Sequence, residues 1–313
     1  MLELKDIEAA RARIQNFVRC TPLIEARPVK NRFWGEAALY LKLECLQITG
    51  SFKARGAVSK LKSLTPDQIA NGLVTASGGN HGLGVAYAGW LAHTPATIYL
   101  SHNTPPIKAQ KLESWGAKVI FEGQVWDEAN RAALIAAEKQ GLSYFHPFAD
   151  PLVIAGQGTL GLEILEEIAD IDILLVAIGG GGLISGISLA AKAINPAIRI
   201  IGIEPTGAPT LYQSLKAGYP VELAEIKTVA NTLAPRQSAQ INYDIIRQNV
   251  DEIVLVTDEE MLVASRWLWQ EMQVAAELSG AAALAALMTG KINTENAHKI
   301  CVLVCGAGSD GIA

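Results

Sequence analysis

Cysteine is scarce in this 313-residue sequence, and its scarcity limits the kinds of protein the chain can be. Only four cysteines occur: Cys20, Cys45, Cys301 and Cys305. They are too few and too scattered for the disulfide framework of a small secreted domain, so free thiols in a reducing cytoplasm are expected. Cys301 and Cys305 share a face of an apparent strand. No second Cys or His pair lies near enough in sequence to predict a zinc site.

Long apolar runs and an excess of positive charge are also missing. The sequence has no stretch of about 20 uncharged apolar residues, so a transmembrane helix is not expected. The formal net charge is −5, which gives no reason to expect a nucleic acid or an anionic membrane as a partner. Residues 1–11 mix charges of both signs with apolar residues. This pattern favours an amphipathic helix of the fold over a signal or transit peptide.

What is present is an alternation of strand and helix patterns along almost the whole chain. Strands are predicted at Leu39–Leu43, Gly72–Ala76, Ala96–Leu100, Lys118–Glu122, Ile173–Ile178, Ile198–Ile203, Glu252–Val256 and Lys299–Cys305. Helices are predicted at Ser51–Lys62, Asn80–Ala92, Pro105–Ser114, Asp127–Gln140, Pro151–Ile168, Leu183–Ile194, Asp258–Gln273 and Ser279–Met288. Short β-branched runs separated by such helices are typical of parallel strands with right-handed crossovers. The predicted class is α/β, with two lobes that share a cleft.

Two segments interrupt this alternation. A lobe boundary is predicted near residues 145–151, where two prolines bracket a turn. Residues 218–249 have the weakest periodicity, and we expect them to cover the cleft or to carry substrate contacts.

Lys53 is the first candidate for a catalytic residue. It lies at the start of a predicted helix, after Thr49 and Ser51, which are both predicted to cap that helix. The helix macrodipole is positive there and disfavours an ammonium group. The placement therefore favours a lysine that loses its proton and acts as a nucleophile, as Schiff-base lysines do. A solvated lysine beside a helix start is the alternative.

Small residues follow the strand that ends at Ala76, and they expose backbone amides at a helix start. The loop is Ser77-Gly78-Gly79-Asn80-His81-Gly82. Such amides are suited to a carboxylate, and the Asn80 side chain can both donate and accept. An ordinary glycine-rich turn with Asn80 as its cap is the alternative interpretation.

A second loop consists of four glycines, 179–182, between a buried strand and a helix. Its backbone can curl around a phosphate at the helix N-terminus. With Glu204 at the end of the next strand, the unit also has the outline of a dinucleotide site. Ile184 stands where the third glycine of that motif belongs. A glycine turn alone does not separate a dinucleotide from a phosphorylated cofactor.

A third loop, 305–311, ends the last strand, and Cys305 there is either a small buried residue or a site residue.

The chain resembles fold-type II pyridoxal-phosphate enzymes, and in particular the serine/threonine dehydratase branch, which includes serine racemase. The resemblance is carried by the segment 51–57, the Ser77–Gly82 loop and the glycine loop 179–182. The most specific motif is Ser51-Phe52-Lys53-Ala54-Arg55-Gly56-Ala57. Further agreement comes from His146-Pro147, residues 154–159, residues 202–205 and Glu277. The similarity runs in the right order over nearly the whole chain. It implies a large cofactor-binding domain of residues 1–48 and 150–313 and a small domain of residues 49–149.

The resemblance also implies roles for individual residues. Lys53 carries pyridoxal phosphate as a Schiff base, and Phe52 flanks the cofactor ring. Asn80 bonds the ring's phenolic oxygen, and Cys305 faces the pyridine nitrogen. The phosphate is held by Gly179, Gly180, Gly181, Gly182 and Leu183. The substrate carboxylate is bound by the loop that includes Ser77, Gly78, Asn80 and His81.

The sequence departs from the family pattern at three places. Gly78 replaces the serine that serves serine racemase as an acid/base, so elimination with little racemisation is expected. Glu204 and Ala208 match two ligands of the family's divalent-cation site, but Thr210 replaces the Asp, which disfavours a hard cation. Glu204 as a strand-end cap or a salt-bridge partner is the alternative. Residues 228–236 differ from the usual Ala-Asp-Gly-Leu-Ala pattern, and Arg236 there is either a surface arginine or a ligand for an acidic side chain.

The function implied is a pyridoxal-phosphate-dependent lyase that eliminates water from an L-threonine- or L-serine-like amino acid to give a 2-keto acid and ammonia. The alternatives are a dehydratase for 3-hydroxyaspartate or phenylserine, a serine racemase and, from another class, a nicotinamide oxidoreductase. We expect a homodimer or homotetramer in the cytoplasm. The longer threonine dehydratases carry a carboxy-terminal regulatory domain, and their allosteric control is not expected in a chain that ends at Ala313.

Overall fold

The strands of the chain form two separate sheets in the computed structural model, which describes residues 2–312. The strands are β1 (Leu23–Glu25), β2 (Ala38–Lys42), β3 (Leu73–Ala76), β4 (Ala96–Leu100), β5 (Lys118–Phe121), β6 (Ser143–Tyr144), β7 (Ile173–Ala177), β8 (Arg199–Pro205), β9 (Glu252–Val256) and β10 (Lys299–Leu303). The larger sheet has the order β1-β2-β10-β7-β8-β9, and the smaller has the order β5-β4-β3-β6.

All pairings in the two sheets are parallel except that of β1 with β2. Every residue of β7 is buried, as expected for a parallel strand covered on both faces. Its apolar side chains lie in a core cluster that extends through β2, β8 and β10. The α/β class with parallel sheets is therefore confirmed.

Helices cover both faces of the sheets. They are α1 (Leu4–Ile14), α2 (Lys53–Leu61), α3 (Pro66–Asn71), α4 (Asn80–Ala92), α5 (Pro106–Glu113), α6 (Trp126–Gln140), α7 (Pro151–Glu167), α8 (Gly182–Ile194), α9 (Thr210–Ala217), α10 (Gln240–Asn249), α11 (Asp258–Met272) and α12 (Leu278–Met288). Between residues 2 and 312, none of these helices is both long enough and apolar enough to cross a bilayer.

The sequence analysis located most of these elements but missed β1, β6, α3, α9 and α10. The segment 218–249 was expected to be irregular, yet its last ten residues form α10. The apolar stripe of α10 is interrupted because the polar Asn242 occupies a fully buried position beside Ile245 and Ile246. The remainder of that segment is irregular, apart from a short 3₁₀ turn at Asn231–Leu233.

The smaller sheet is built from residues 73–144, whereas the strands of the larger sheet come from both sides of that range. This division supports the two domains predicted from the resemblance, and their bounds at residues 48 and 149 stay a prediction. Residues 145–150, where a boundary was expected, join β6 to α7.

A buried ion network fixes α2 against the rest of the protein. The guanidinium of Arg55 is fully buried and donates from Nε to Glu44 Oε1 at 2.8 Å and from Nη2 to Glu163 Oε2 at 2.9 Å. Lys42, also fully buried, extends the network through its ion pair with Glu163 at 3.1 Å. Such charges are tolerated in the interior only because each donor has a well-placed acceptor. The network therefore joins α2 to β2, to the turn that follows β2 and to α7.

We expect Glu44→Gln to destabilise the protein by about 3–5 kcal/mol, because it leaves the buried Arg55 cation with too little compensating charge. The urea midpoint, followed by both tryptophan fluorescence and circular dichroism, measures the change. Glu36→Gln is the matched control, since Glu36 is exposed and has no side-chain partner among residues 2–312. Equal midpoints for the two variants would contradict this role of the network.

Candidate active site

Lys53 is the first residue of α2, in agreement with its predicted place in a first helical turn. The predicted caps are wrong. Phe52 holds the N-cap position, and the hydroxyls of Thr49 and Ser51 are buried without a hydrogen-bond partner among the described residues. Ser51 pairs in an isolated antiparallel bridge with Gly306, so its backbone is committed to the loop that follows β10 rather than to the helix.

Lys53 is half-buried, and its amine is engaged by the polypeptide chain. Its Nζ donates to the carbonyl oxygen of Pro147 at 2.7 Å and lies 5.1 Å from the centre of the Phe52 ring. Desolvation lowers the pKa of Lys53 to about 8, and the neighbouring Cys305 opposes this shift. An amine with this pKa is partly deprotonated near neutral pH, which a nucleophile or a general base requires.

The first of the predicted binding loops leads into α4. Gly79 is the N-cap of this helix, and its N–H donates to the hydroxyl of Ser77 at 3.2 Å. The amides of Asn80, His81 and Gly82 form the first turn, where no intrahelical acceptor is available. This arrangement is suited to an anion such as a carboxylate.

The ring of His81 does not face that anion site. It is buried, and its Nε2 donates to the carbonyl oxygen of Phe145 at 2.9 Å. Burial, followed by the charge of Lys53, lowers the pKa of His81 well below its ordinary value. The ring is therefore neutral. The group of His81 that can donate to a bound carboxylate is its backbone N–H, in the first turn of α4.

The four glycines form the start of α8, as predicted. Gly181 is the N-cap with φ of +91°, a conformation that L side chains rarely adopt. A Cβ at Gly180 would overlap the ring of Phe148, and one at Gly182 would lie 2.8 Å from the carbonyl oxygen of Phe148. The loop therefore packs too closely for side chains and presents backbone amides, including that of Leu183, at a helix N-terminus.

Two residues missed by the sequence analysis hold this glycine loop. Asn242 is fully buried, and its Nδ2 donates to the carbonyl oxygens of Gly180 at 2.5 Å and Phe148 at 3.1 Å. Ser238 donates from its hydroxyl to the same Gly180 oxygen at 3.0 Å. Neither belongs to a motif, so only the interruption of the apolar pattern at Asn242 could have drawn attention to it.

Cys305 lies close to Lys53. It follows β10, is 3% exposed, and its carbonyl oxygen accepts from the N–H of Phe52 at 3.3 Å. The thiol donates to the carbonyl oxygen of Ser279 at 3.5 Å. Burial raises the pKa of Cys305 far above that of a free thiol, so the group is neutral.

Glu277 is a site residue for which the sequence predicted no role. Its Oε1 accepts from Asn80 Nδ2 at 2.8 Å and from the hydroxyl of Ser279 at 2.5 Å. Desolvation raises the pKa of Glu277, and the bonds from Ser279, Asn80 and Thr232 oppose the rise. By accepting this bond, the carboxyl group of Glu277 fixes the orientation of the Asn80 side-chain amide.

Glu204 has the role of a cap, the alternative considered for it. Its two carboxylate oxygens accept from the amides of Leu211 at 2.9 Å and Tyr212 at 2.8 Å, in the first turn of α9. Burial raises the pKa of Glu204 to about 8. Both oxygens are thus engaged inside the protein, which argues against a dinucleotide ribose as their partner.

The cation site considered at Glu204 and Ala208 gains no support from these contacts. Thr210, which replaces the Asp of the family's site, donates to the carbonyl oxygen of Pro235 at 2.8 Å. Residues 2–312 contain no group of three or more His, Cys, Asp or Glu side chains placed to hold a metal ion.

Arg236 is a surface arginine rather than a substrate ligand. Its Nε donates to the carbonyl oxygen of Leu223 at 3.1 Å, and its Nη2 lies 3.4 Å from a carboxylate oxygen of Glu222. These partners belong to the irregular segment itself, so the interpretation of Arg236 as a receptor for an acidic side chain is not favoured.

Comparison with known proteins agrees with this geometry. The family model "Pyridoxal-phosphate dependent enzyme" matches residues 14–306. The L-threonine ammonia-lyase of Thermotoga maritima is 39% identical over 310 residues, which are 99% of this chain and 76% of that protein. The catabolic L-threonine dehydratase TdcB of Staphylococcus aureus is 38% identical over 99% of this chain and 90% of its own length.

Solved structures give the same result. Maize serine racemase superposes with a TM-score of 0.92 at 34% identity, covering 97% of this chain and 93% of the maize chain. Threonine deaminase isoform 2 of Solanum lycopersicum superposes with a TM-score of 0.91 at 35% identity, covering 97% of this chain and 88% of its own. The matched span includes the lysine, both helix-start loops and the buried thiol, and the chain belongs to the pyridoxal-phosphate-dependent enzymes.

Proposed function

We propose that this protein is an ammonia-lyase that uses pyridoxal phosphate to eliminate water from a small β-hydroxy amino acid of the L-threonine or L-serine type. The observation that carries the proposal is the Lys53 amine, whose pKa is lowered to about 8 and which lies near a neutral thiol. The relatives named L-threonine ammonia-lyase and L-threonine dehydratase match 99% of the chain, which supports the same reaction class.

The residues present fit pyridoxal phosphate. The glycine loop 179–182 leaves no room for side chains and offers the amides at the start of α8 to a phosphate. Lys53 offers an amine able to bond an aldehyde carbon. Cys305 offers a neutral thiol, which can bond a pyridine nitrogen without an added charge. When bound, the cofactor supplies an electron sink for the bond broken at the substrate's Cα.

The chain's own groups then orient and deprotonate the substrate. The first-turn amides of α4, together with Ser77 and Asn80, bind the carboxylate. Glu277 holds the Asn80 amide in place. The Lys53 amine removes the α-proton, because its desolvated position keeps a fraction of it neutral near pH 7.

Loss of the β-hydroxyl as water completes the elimination. The proton taken from Cα and the departing hydroxide account for that water. The released enamine tautomerises and hydrolyses to a 2-keto acid and ammonia. Cys305 supports this outcome, because a neutral thiol does not stabilise a long-lived carbanion as a carboxylate beside the pyridine nitrogen would.

Serine racemase is the second candidate, because the maize enzyme has the same fold. Racemisation needs an acid on the face of the substrate opposite Lys53. Gly78 has no such group, and the position that its Cβ would take lies 2.9 Å from the methyl group of Thr104. The local geometry therefore favours elimination.

We extend the proposal to a homodimer or homotetramer that works in the cytoplasm. Three of the four thiols are buried and all four are free, which supports a reducing compartment.

The purified protein is expected to be yellow, to bleach with borohydride and to release a 2-keto acid from L-threonine or L-serine. Lys53→Ala should lose the colour and at least about 10³-fold of the activity, because it removes both the attachment point and the base. Lys62→Ala, at the exposed C-cap of the same helix, is the control for the loss of a lysine from this part of the chain. A colourless protein that binds a nicotinamide dinucleotide would overturn the assignment.

The rate at which the apoprotein takes up pyridoxal phosphate should rise with pH around a midpoint near 8, because only the neutral amine of Lys53 attacks an aldehyde. Below the midpoint the ammonium form predominates and uptake slows. Stopped-flow absorbance measures the rate, and a free lysine derivative, with a midpoint of about 10.4, is the reference. A midpoint above 10 for the protein would contradict the desolvation of Lys53.

L-Serine recovered from a partial reaction should keep its configuration, because Gly78 cannot return a proton to the opposite face. Chiral chromatography of the residual serine gives the result. Gly78→Ser tests the reason, since it supplies a hydroxyl at this position at the cost of crowding the Thr104 methyl group. D-Serine formed by the unmodified protein as fast as keto acid would show that the proposed stereochemistry is wrong.

A further inference from the structure

Residues 228–233 cross the cleft between the two binding loops. The hydroxyl of Thr228 and the N–H of Val229 both bond the carboxylate of Asp258, which anchors the beginning of the segment. The 3₁₀ turn Asn231–Leu233 then places Leu233 in the core. Thr232, between two such fixed points, is exposed at the mouth of the cleft.

Thr232 contacts both loops at once. Its methyl carbon lies 3.6 Å from the position that a Cβ at Gly79 would take, beside the carboxylate loop. Its carbonyl oxygen lies 2.8 Å from the position of a Cβ at Gly179, beside the phosphate loop. The side chain of Thr232 therefore fills space directly next to the anion site at the start of α4.

The hydroxyl of Thr232 also enters the hydrogen-bond chain that orients Asn80. It bonds the hydroxyl of Ser279 at 2.5 Å and lies 3.4 Å from Glu277 Oε1, the oxygen that accepts from Asn80. These four residues, Asn80, Thr232, Glu277 and Ser279, form what we call the Glu277 cluster. A chain of hydrogen bonds thus links the position of the cleft segment to that of Asn80.

We propose that Thr232 is a specificity-determining residue, an inference that rests on the proposed function. Its methyl group narrows the site beside the carboxylate loop, and its hydroxyl holds the cleft segment on the Glu277 cluster. A pocket narrowed in this way accepts a β-hydroxy amino acid with a small side chain, such as serine or threonine, and discriminates against an aryl side chain.

Three variants separate the steric part from the hydrogen-bonding part. Thr232→Gly removes both groups, whereas Thr232→Val keeps the volume and removes the hydroxyl. Val229→Gly is the matched control, because it puts a glycine in the same segment at a side chain that is 66% exposed. The substrates are L-serine, L-threonine and L-threo-phenylserine, and the quantity compared is the ratio of kcat/KM for phenylserine to that for serine.

Thr232→Gly should raise this ratio by at least about tenfold, the scale of one methyl group in a fitted pocket. Thr232→Val should leave the ratio within about twofold of that of the unmodified protein. It should raise KM for all three substrates, because the hydrogen-bond chain that orients Asn80 loses the Thr232 hydroxyl. Val229→Gly should change neither quantity. A ratio for Thr232→Gly within twofold of the unmodified protein, or an equal rise for Val229→Gly, would overturn the proposal.

A binding measurement checks the pocket independently of turnover. L-Alanine and L-phenylalanine have no β-hydroxyl to lose, and the change in absorbance of the bound cofactor reports their dissociation constants. Thr232→Gly should favour L-phenylalanine over L-alanine by at least about tenfold relative to the unmodified protein. If no hydroxy amino acid yields a keto acid, the proposed lyase activity fails, but this ratio still decides the role of Thr232. If Thr232→Gly does not fold, Thr232→Ala, which also removes the methyl and the hydroxyl, is measured against the same thresholds.

Discussion

The Arg55 guanidinium is the interaction on which the site depends. It lies two residues after Lys53 in α2 and bonds carboxylates from two different parts of the chain, Glu44 and Glu163. The first turn of a helix holds a nucleophile in a fixed position only if the helix itself does not shift. A buried cation with matched acceptors supplies that constraint, because any displacement would break charge-assisted bonds in a medium of low dielectric constant.

Most ionisable groups around Lys53 are shifted toward their uncharged forms. Burial lowers the pKa of His146 to about 4 and that of His81 well below its ordinary value. Burial raises the pKa of Cys305 and of Glu277. The two helix N-termini, at the starts of α4 and α8, both favour anions. A ligand that carries a phosphate and a carboxylate meets complementary charge at both ends.

Local patterns in the sequence were sufficient for eight of the ten strands that the structure describes, for the helices longer than ten residues and for the three loops. A strand followed by small residues and a helix is visible in one stretch of chain, and the lysine motif needs no partner from elsewhere. Groups that act through long-range contacts were not accessible in this way. Glu277 lies 197 residues from Asn80 in the sequence, and no local pattern near either residue predicts their hydrogen bond. The predicted caps at Thr49 and Ser51 were wrong for the same reason, because pairing with Gly306 decides the local backbone.

Asn242 links the glycine loop to the backbone that holds the Lys53 amine. Its amide bonds the carbonyl oxygens of Gly180 and Phe148, and the adjacent Pro147 carbonyl accepts from the amine of Lys53. The glycine loop and the nucleophile are thus connected through the Asn242 side chain and the backbone of residues 147–148. Ordering of either end by a ligand reduces the conformational freedom that remains to be lost at the other. A molecule that spans both ends therefore binds with a smaller entropy cost than two fragments would, and fragments lacking either end should gain little from the arrangement.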